Sequence, residues 1–353
     1  MSDRPPVLLT RYRDVRAALD EPSLVIHKPL AVGAEADHVV KAPQGQRSHR
    51  ILPLRQSLAQ QLASRAIAPL AGFIEERVEK ALLQAQARGG MEAVSDLAFP
   101  LPVAVMLELL GLPQSDPSQL RPLFESITRG HDMGSSETDR KQARFSQAAL
   151  VRWLDPQIRH ARATPLMEAI RGVGDAQAVD QALVNYWCMM LLYAGSATTR
   201  DLIANSLALM VQFPEAAKRL ARNDVQVEPT IEEILRFDGP VQGIGRVATQ
   251  DLTISGLRIQ QGTIVYLMLS EANRDPDYFS SPETFQPDRS PNPHLAFATG
   301  ITHCIGAQLA RLEGRMVLAR MRKLLPCMTA HDLADWSPVR LLRQRRSLRL
   351  EFL

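Results

Sequence analysis

Cysteine is scarce in this sequence. Cys188, Cys304 and Cys327 are the only three in 353 residues, too few and too scattered for a disulfide framework or a zinc cage, and a reducing cytoplasm suits them. Charge of one sign is lacking too: a formal net charge of +3 is small for this length and argues for neither nucleic-acid binding nor an anionic membrane surface. The opening MSDRPPVLLTRYRDV has charges where a secretory signal needs an apolar run. Residues 181–199 carry no charge, but Asn185, Ser196, Thr198 and Thr199 interrupt them, only 187–195 is continuously apolar, and Arg200 and Asp201 end the stretch. That pattern is read as a long helix through a protein core rather than a membrane span. Repeats, low-complexity tracts and boundary-forcing linkers are absent, so one domain over 1–353 is expected.

What is present is enough apolar sequence, 45%, for a large core. RDVRAALDE, SLAQQLASRAIAPLAGFIEERVEKALLQAQ and FSQAALVRWLDPQIRHARA space apolar residues three and four apart between Gly, Pro and Asp-rich breaks. Helix is therefore expected across 50–240 and again across 300–325. In RVATQDLTISGLRIQQGTIVYLML the period changes to two, with Gly256 and Gly262 at turns, which predicts short strands over about 245–270. The fold class is mainly α with a small β-sheet region.

The stretch HLAFATGITHCIGAQLARLEG, 294–314, sets Cys304 between Gly300 and Gly306. Glycine there permits positive φ and a close approach of backbone to a flat ligand. Ile305, Leu309, Leu312 and Met316 mark one helical face, which places Cys304 just before a helix start, where the dipole and free N–H groups favour a thiolate able to ligate a metal. The alternative for a lone cysteine is a small buried hydrophobe.

Phe297, Gly300, Cys304 and Gly306 together match the heme-loop signature of the cytochrome P-450 superfamily, and the following LARLE extends the match. The chain resembles that family over nearly its whole length. EEILRF supplies Glu233 and Arg236 at helical i, i+3 spacing, on physical grounds alone an ordinary surface pair. In the family such a pair is tied to a later arginine, here Arg289 of FQPDR. ANRDP at 272–276, the N-terminal strand-and-helix pattern VLLTRYRDVRAALDE, and AGSATT at 194–199 also have the family's form. The last resembles the oxygen-binding segment, with Ala194 and Gly195 leaving room for dioxygen and substrate and Thr198 supplying an alcohol; a tight helix-packing spot is the alternative.

The resemblance implies a cytochrome P-450 fold, heme b (iron protoporphyrin IX) on Cys304 as the axial thiolate, dioxygen as co-substrate, and a ferredoxin- or flavodoxin-type electron donor with a separate reductase. It implies a cytoplasmic monooxygenase acting on a small-to-medium organic substrate, without nucleic acid or membrane. Arg246 of GRVATQD matches a propionate-binding arginine. QGQRSHRILPLR leaves Arg50 and His49 as candidates for a second such role, with solvated helix charges as the alternative. His294 and His303 read equally well as surface residues. By analogy, parts of 239–245 and 133–171 line substrate.

Several positions depart from the pattern. Ala298 stands in place of the usual glycine, and Thr302 where many members carry a basic residue toward a propionate. Ala197 precedes Thr198 where most relatives have an acid, which raises three alternatives: a relay completed by the substrate, a peroxide-using variant, or a heme-thiolate sensor. The chain begins near the family's second strand, and only a brief segment separates Leu24 from Arg47. A more open pocket is expected, suited to a bulky or carrier-bound substrate.

Overall fold

A helix whose every face is apolar has to be buried on every face, and the uncharged run opens a helix 32 residues long that is buried over most of its length. In the computed structural model, which describes residues 5–26, 51–172 and 181–352, the chain begins with β1 (Val7–Leu9), α1 (Tyr12–Asp20) and β2 (Leu24–Ile26). It continues through α2 (Ile51–Gln61), α3 (Ser64–Ile67), α4 (Leu70–Arg88), β3 (Gly90–Glu92), α5 (Pro100–Leu109), α6 (Arg121–His131), α7 (Glu137–Arg159) and α8 (Pro165–Arg171). The central α9 (Gln181–Gln212) follows, then α10 (Pro214–Ala221), α11 (Val227–Asp238), β4 (Ile244–Ala248), β5 (Leu252–Ile254), β6 (Leu257–Ile259) and β7 (Ile264–Leu267). The chain closes with α12 (Leu269–Ala272), α13 (Ala307–Met321), β8 (Met328–Ala330) and β9 (Arg349–Phe352). Among the described residues no helix is long and apolar enough to cross a membrane.

Local chemistry sets the boundaries. Ser136 and Asp139 form a reciprocal capping box that starts α7, Thr164 accepts from the Met167 N–H to start α8, and Gly89 at φ +74° stops α4. Ser255 and Gly256, at φ +48° and +85°, make the tight turn between β5 and β6. The expected strands lie where the period changed.

The main sheet has the order β1-β7-β4-β2, with β1 parallel to β7 and the other pairs antiparallel. Arg246 on β4 is thereby flanked by Ile26 of β2 and Val265 of β7. A small core beneath this sheet gathers Tyr12, Val15, Ala18 and Leu19 of α1. The larger core surrounds α9, with α4, α5, α11 and α13 contributing.

Between the two, the long connection from α12 to α13 is fixed by one carboxylate. Glu233 is 0% exposed and accepts six hydrogen bonds: two from Arg236 at 2.8 Å each, two from Arg289 Nε at 3.1 and 3.2 Å, one from the Gln286 N–H at 2.9 Å and one from Asn292 at 3.2 Å. The guanidiniums spend their remaining donors on main-chain carbonyls of the same connection, Arg236 on Asn273, Pro282 and Thr284, Arg289 on Ser280, Ser281 and Thr284. The i, i+3 pair is thus a buried cluster, and a partner removed from it leaves uncompensated charge. Glu233→Ala is expected to lose about 3–5 kcal/mol and to give little folded protein, measured by urea denaturation; an unchanged midpoint would mean that the cluster does not hold the connection.

Candidate functional site

Residues 294–306 form a tight loop entering α13. The Cys304 N–H donates to the Phe297 carbonyl at 2.9 Å, and the Ala307 N–H donates to the Cys304 carbonyl at 3.3 Å. To turn this sharply the chain takes φ +56° at Ala298 and +58° at Gly300. Alanine in that region costs about 1–2 kcal/mol, so the loop stores strain where glycine would carry none. The positive φ at Gly300 favours glycine, and a Cβ there would lie 2.5 Å from the Asp20 carboxylate of α1, which would have to swing aside. Gly306 differs from expectation: its φ of −87° suits any residue, and what glycine leaves clear is space near the Cys304 sulfur, 3.9 Å from where a Cβ would stand.

The Cys304 side chain opens on a cavity of about 450 Å³ that Arg55, Ala59, His303 and Gln308 also line. Enough protein encloses the sulfur that desolvation pushes its pKa up, outweighing the Gly306 N–H and the guanidiniums of Arg55 and Arg311. Burial thus opposes the thiolate that the helix start and the two guanidiniums favour. A cation directly on sulfur would make one. No three His, Cys, Asp or Glu side chains cluster as metal ligands among the described residues, so a metal at Cys304 would have to bring most of its own ligands.

Phe297 lies under the Arg311 guanidinium, 4.5 Å from its ring centre. Arg311 in turn holds Glu232 by two bonds, 2.7 and 2.8 Å, and Glu232 Oε2 lies 3.0 Å from His294 Nε2. His294, expected equally well at the surface, is a buried strut with its side chain 4% exposed. Burial alone would raise the Glu232 carboxyl, but the hydrogen bonds from Arg311 and His294 bring it to about 2. Thr302 turns its hydroxyl back to the Thr299 carbonyl, at 2.9 Å, and lines neither cavity described here. Arg50 and His49 lie outside the described residues. Arg55, which the sequence reading passed over, donates to the His303 carbonyl beside Cys304; the buried Leu54 and Leu58 of α2 were the available signal for which side of that helix faces inward.

A second cavity, about 300 Å³, takes Tyr193, Ala194, Ala197 and Thr198 from α9 and Arg246 from β4. Residues 241 and 243–245 line it as expected, but 133–171 contribute nothing to its lining; Thr128, His131 and Asp132 at the end of α6 do so instead. Leu341 and Leu342 join them through a bridge between Val241 and Leu342 that no local pattern announces. Arg246 is 6% exposed, its one bond runs to the Gly245 carbonyl at 3.1 Å, and no carboxylate pairs with it among the described residues. Burial lowers its pKa to about 10, which leaves it cationic at neutral pH.

The Thr198 hydroxyl donates to the Ala194 carbonyl at 2.9 Å, the back-bond typical of a threonine within a helix. Gly195 does not leave room for a ligand. A Cβ there would lie 2.9 Å from Met106 Sδ, so glycine serves the crossing of α9 over α5. The next acid along α9, Asp201, is fully buried against Arg200, and desolvation pushes it up to about 6. The structure thus gathers Cys304 and Gly300 with Arg55 at one cavity, and Ala194, Thr198 and Arg246 at the other.

The family model for cytochrome P450 matches residues 154–323. The biotin biosynthesis cytochrome P450 of Bacillus subtilis (strain 168) is 31% identical over 339 residues, 93% of this chain and 85% of the relative. The vitamin D(3) 25-hydroxylase of Pseudonocardia autotrophica is 31% identical over 334 residues, 91% of this chain and 81% of the relative. Among solved structures, P450BioI in complex with a hexadec-9Z-enoic acid ligated acyl carrier protein superposes with a TM-score of 0.85 at 28% identity, covering 99% of this chain and 93% of that one.

The Glu232 bonds yield a pH-dependent stability. A carboxyl depressed on folding stabilises fully above its unfolded pKa of about 4.3, and that contribution disappears as pH falls toward 2. Glu232→Gln should therefore cost more stability at pH 6 than at about pH 3, measured by urea denaturation at each pH. An equal penalty at both would show that the ion pair, as distinct from its shape, adds nothing.

Proposed function

Because the chain belongs to the cytochrome P450 family and is a monooxygenase on that ground, we propose that it holds heme b through Cys304 and oxidises an elongated apolar substrate presented on a carrier protein. The bound heme supplies the oxidising chemistry on dioxygen, with two electrons arriving singly from a ferredoxin- or flavodoxin-type donor served by a separate reductase.

The observation that carries this reading is Arg246. A buried guanidinium without an anion is expensive, and this one sits at a largely apolar cavity shared with Thr198. A heme propionate is the anion such a group would bind, through charge-assisted hydrogen bonds. Cys304 is the axial ligand, with Gly306 and Gly300 keeping the loop close and Phe297 held in place by Arg311. Arg55 takes the second basic role for which Arg50 and His49 were the sequence candidates. Reduced, carbon-monoxide-treated protein should show the red-shifted Soret band of a thiolate-ligated heme, and Cys304→Ser should abolish it; an unchanged band would assign the ligand elsewhere.

For the substrate, the support is the apolar lining given by Tyr193, Ala194, Val241, Leu341 and Leu342, together with the carrier-bound fatty acyl chain on the relative of known structure. Ala194 and Ala197 keep the wall of α9 low. Ala197 also removes the acid that would refill Thr198, so a proton given up at Thr198 Oγ1 has to return from water or from a polar group on the substrate. That absence favours one second reading, in which peroxide replaces dioxygen and electrons. Thr198→Ala separates the two. Under the first reading, reducing-equivalent consumption uncouples from product formation; under the second, peroxide-driven turnover is unaffected.

A further inference from the structure

The outer surface of α7 has charges that nothing in the fold uses. Lys141, Arg144 and Arg152 are exposed, and their spacing, with Phe145 between them, puts all four on one stripe of the helix. Phe145 is 58% exposed, among the few large hydrophobic residues left so open. Of the acids of α7, Asp139 is engaged in the cap with Ser136 and Asp155 with Arg159 and Asn185, while Glu137 is exposed on the stripe one turn before Lys141. Neighbouring Arg121 on α6 has Glu125 at 2.9 Å, whereas no ion pair engages Lys141, Arg144 or Arg152 among the described residues. With three cations against the one acid, Glu137, an exposed apolar side chain on this stripe makes a net basic surface suited to an acidic partner.

The stripe's place narrows the partner. The opposite face of α7 packs on the end of α6, with Ala143 against Gly130 and the Gln147 amide 3.4 Å from His131. Thr128, His131 and Asp132 of that same α6 end wall the cavity shared by Thr198 and Arg246. Packed helices lie about 8–10 Å apart, so a partner seated on the stripe rests one helix thickness from the cavity wall. An electron donor serves Cys304, whose cavity is lined from α2 and the start of α13 and takes nothing from α6 or α7. Three cations and one aromatic are too few to hold a membrane surface, at about 1 kcal/mol per Lys or Arg.

We propose that Lys141, Arg144 and Arg152, around Phe145, form the docking surface for an acidic acyl carrier protein, which passes its thioester-bound chain over the α6–α7 turn into the cavity. This rests on the carrier-delivered substrate proposed above.

The test compares heme-loaded wild type with K141E/R144E/R152E and with Phe145→Ser, none of which touches the cavity lining. The probes are an acyl carrier protein bearing a hexadec-9Z-enoyl thioester, the same carrier without the chain, and free hexadec-9Z-enoic acid. Calorimetry reads docking, and the heme spin-state shift reads entry of the chain. Charge reversal should weaken both carrier forms by about 100-fold and leave the free acid's spin-state shift unchanged. Wild-type docking should weaken as salt rises from about 0.05 to 0.5 M, while the reversed variant loses that dependence. Equal carrier affinity in wild type and reversed variant overturns the docking surface, as does a carrier that fails to bind while the free acid shifts the heme; in both cases the acyl-substrate reading stands. A carrier that docks through the stripe while neither acyl probe shifts the heme upholds the surface and overturns the acyl reading. Loss of an acidic ferredoxin's affinity in the variant, with carrier affinity intact, assigns the stripe to the electron donor and overturns the proposal.

Discussion

Two adjacent carboxylates on α11 hold the site together. Glu233 faces the connection that follows α12 and, fully buried, draws Arg236 and Arg289 onto itself; Glu232 faces α13 and the Cys304 loop and draws Arg311 and His294. Neighbouring residues on a helix point about 100° apart, so one turn of α11 fastens two different segments at once. Taking such charges out of water costs several kcal/mol per ion, and the fold recovers that cost by giving almost every donor of Arg236 and Arg289 an acceptor. Those acceptors are mostly main-chain carbonyls of the connection itself. A stretch with little regular structure thereby acquires one defined path, which continues through Asn273, whose side chain accepts from the Leu295 N–H at the entrance to the loop.

The loop can then carry strain. Ala298 in the left-handed region and the close approach of Gly300 to Asp20 persist because both ends of the segment are held, by α11 on one side and by α13 on the other. The cavity at Thr198 and Arg246 follows a different logic. Its wall is a helix buried on all sides, where small residues serve either packing or ligand space and never both: Gly195 is filled by Met106, while Ala194 and Ala197 face the opening. The backbone of its single buried cation, Arg246, is set by strand pairing on both sides.

Much of this was legible in the chain. Periodicity found the helices and the change to strands near 245, since apolar spacing reports local geometry directly. The Cys304 motif and the Glu233–Arg236 spacing were visible for the same reason, because each is written within a few residues. Arg55, His294 and the pairing of Leu342 with Val241 were not, since each owes its role to a partner 60 to 250 positions away. Gly195 and Gly306 were visible as glycines, but the reason for each lay in a neighbour the sequence does not name.

The sequence by itself determined the element types, the helical class, and the family to which its cysteine motif points, all properties of residues close together along the chain. Only the tertiary structure decided which charges are buried and which cavity each site residue faces. Those outcomes depend on desolvation and on the directions of distant donors and acceptors, which exist only once the segments have packed.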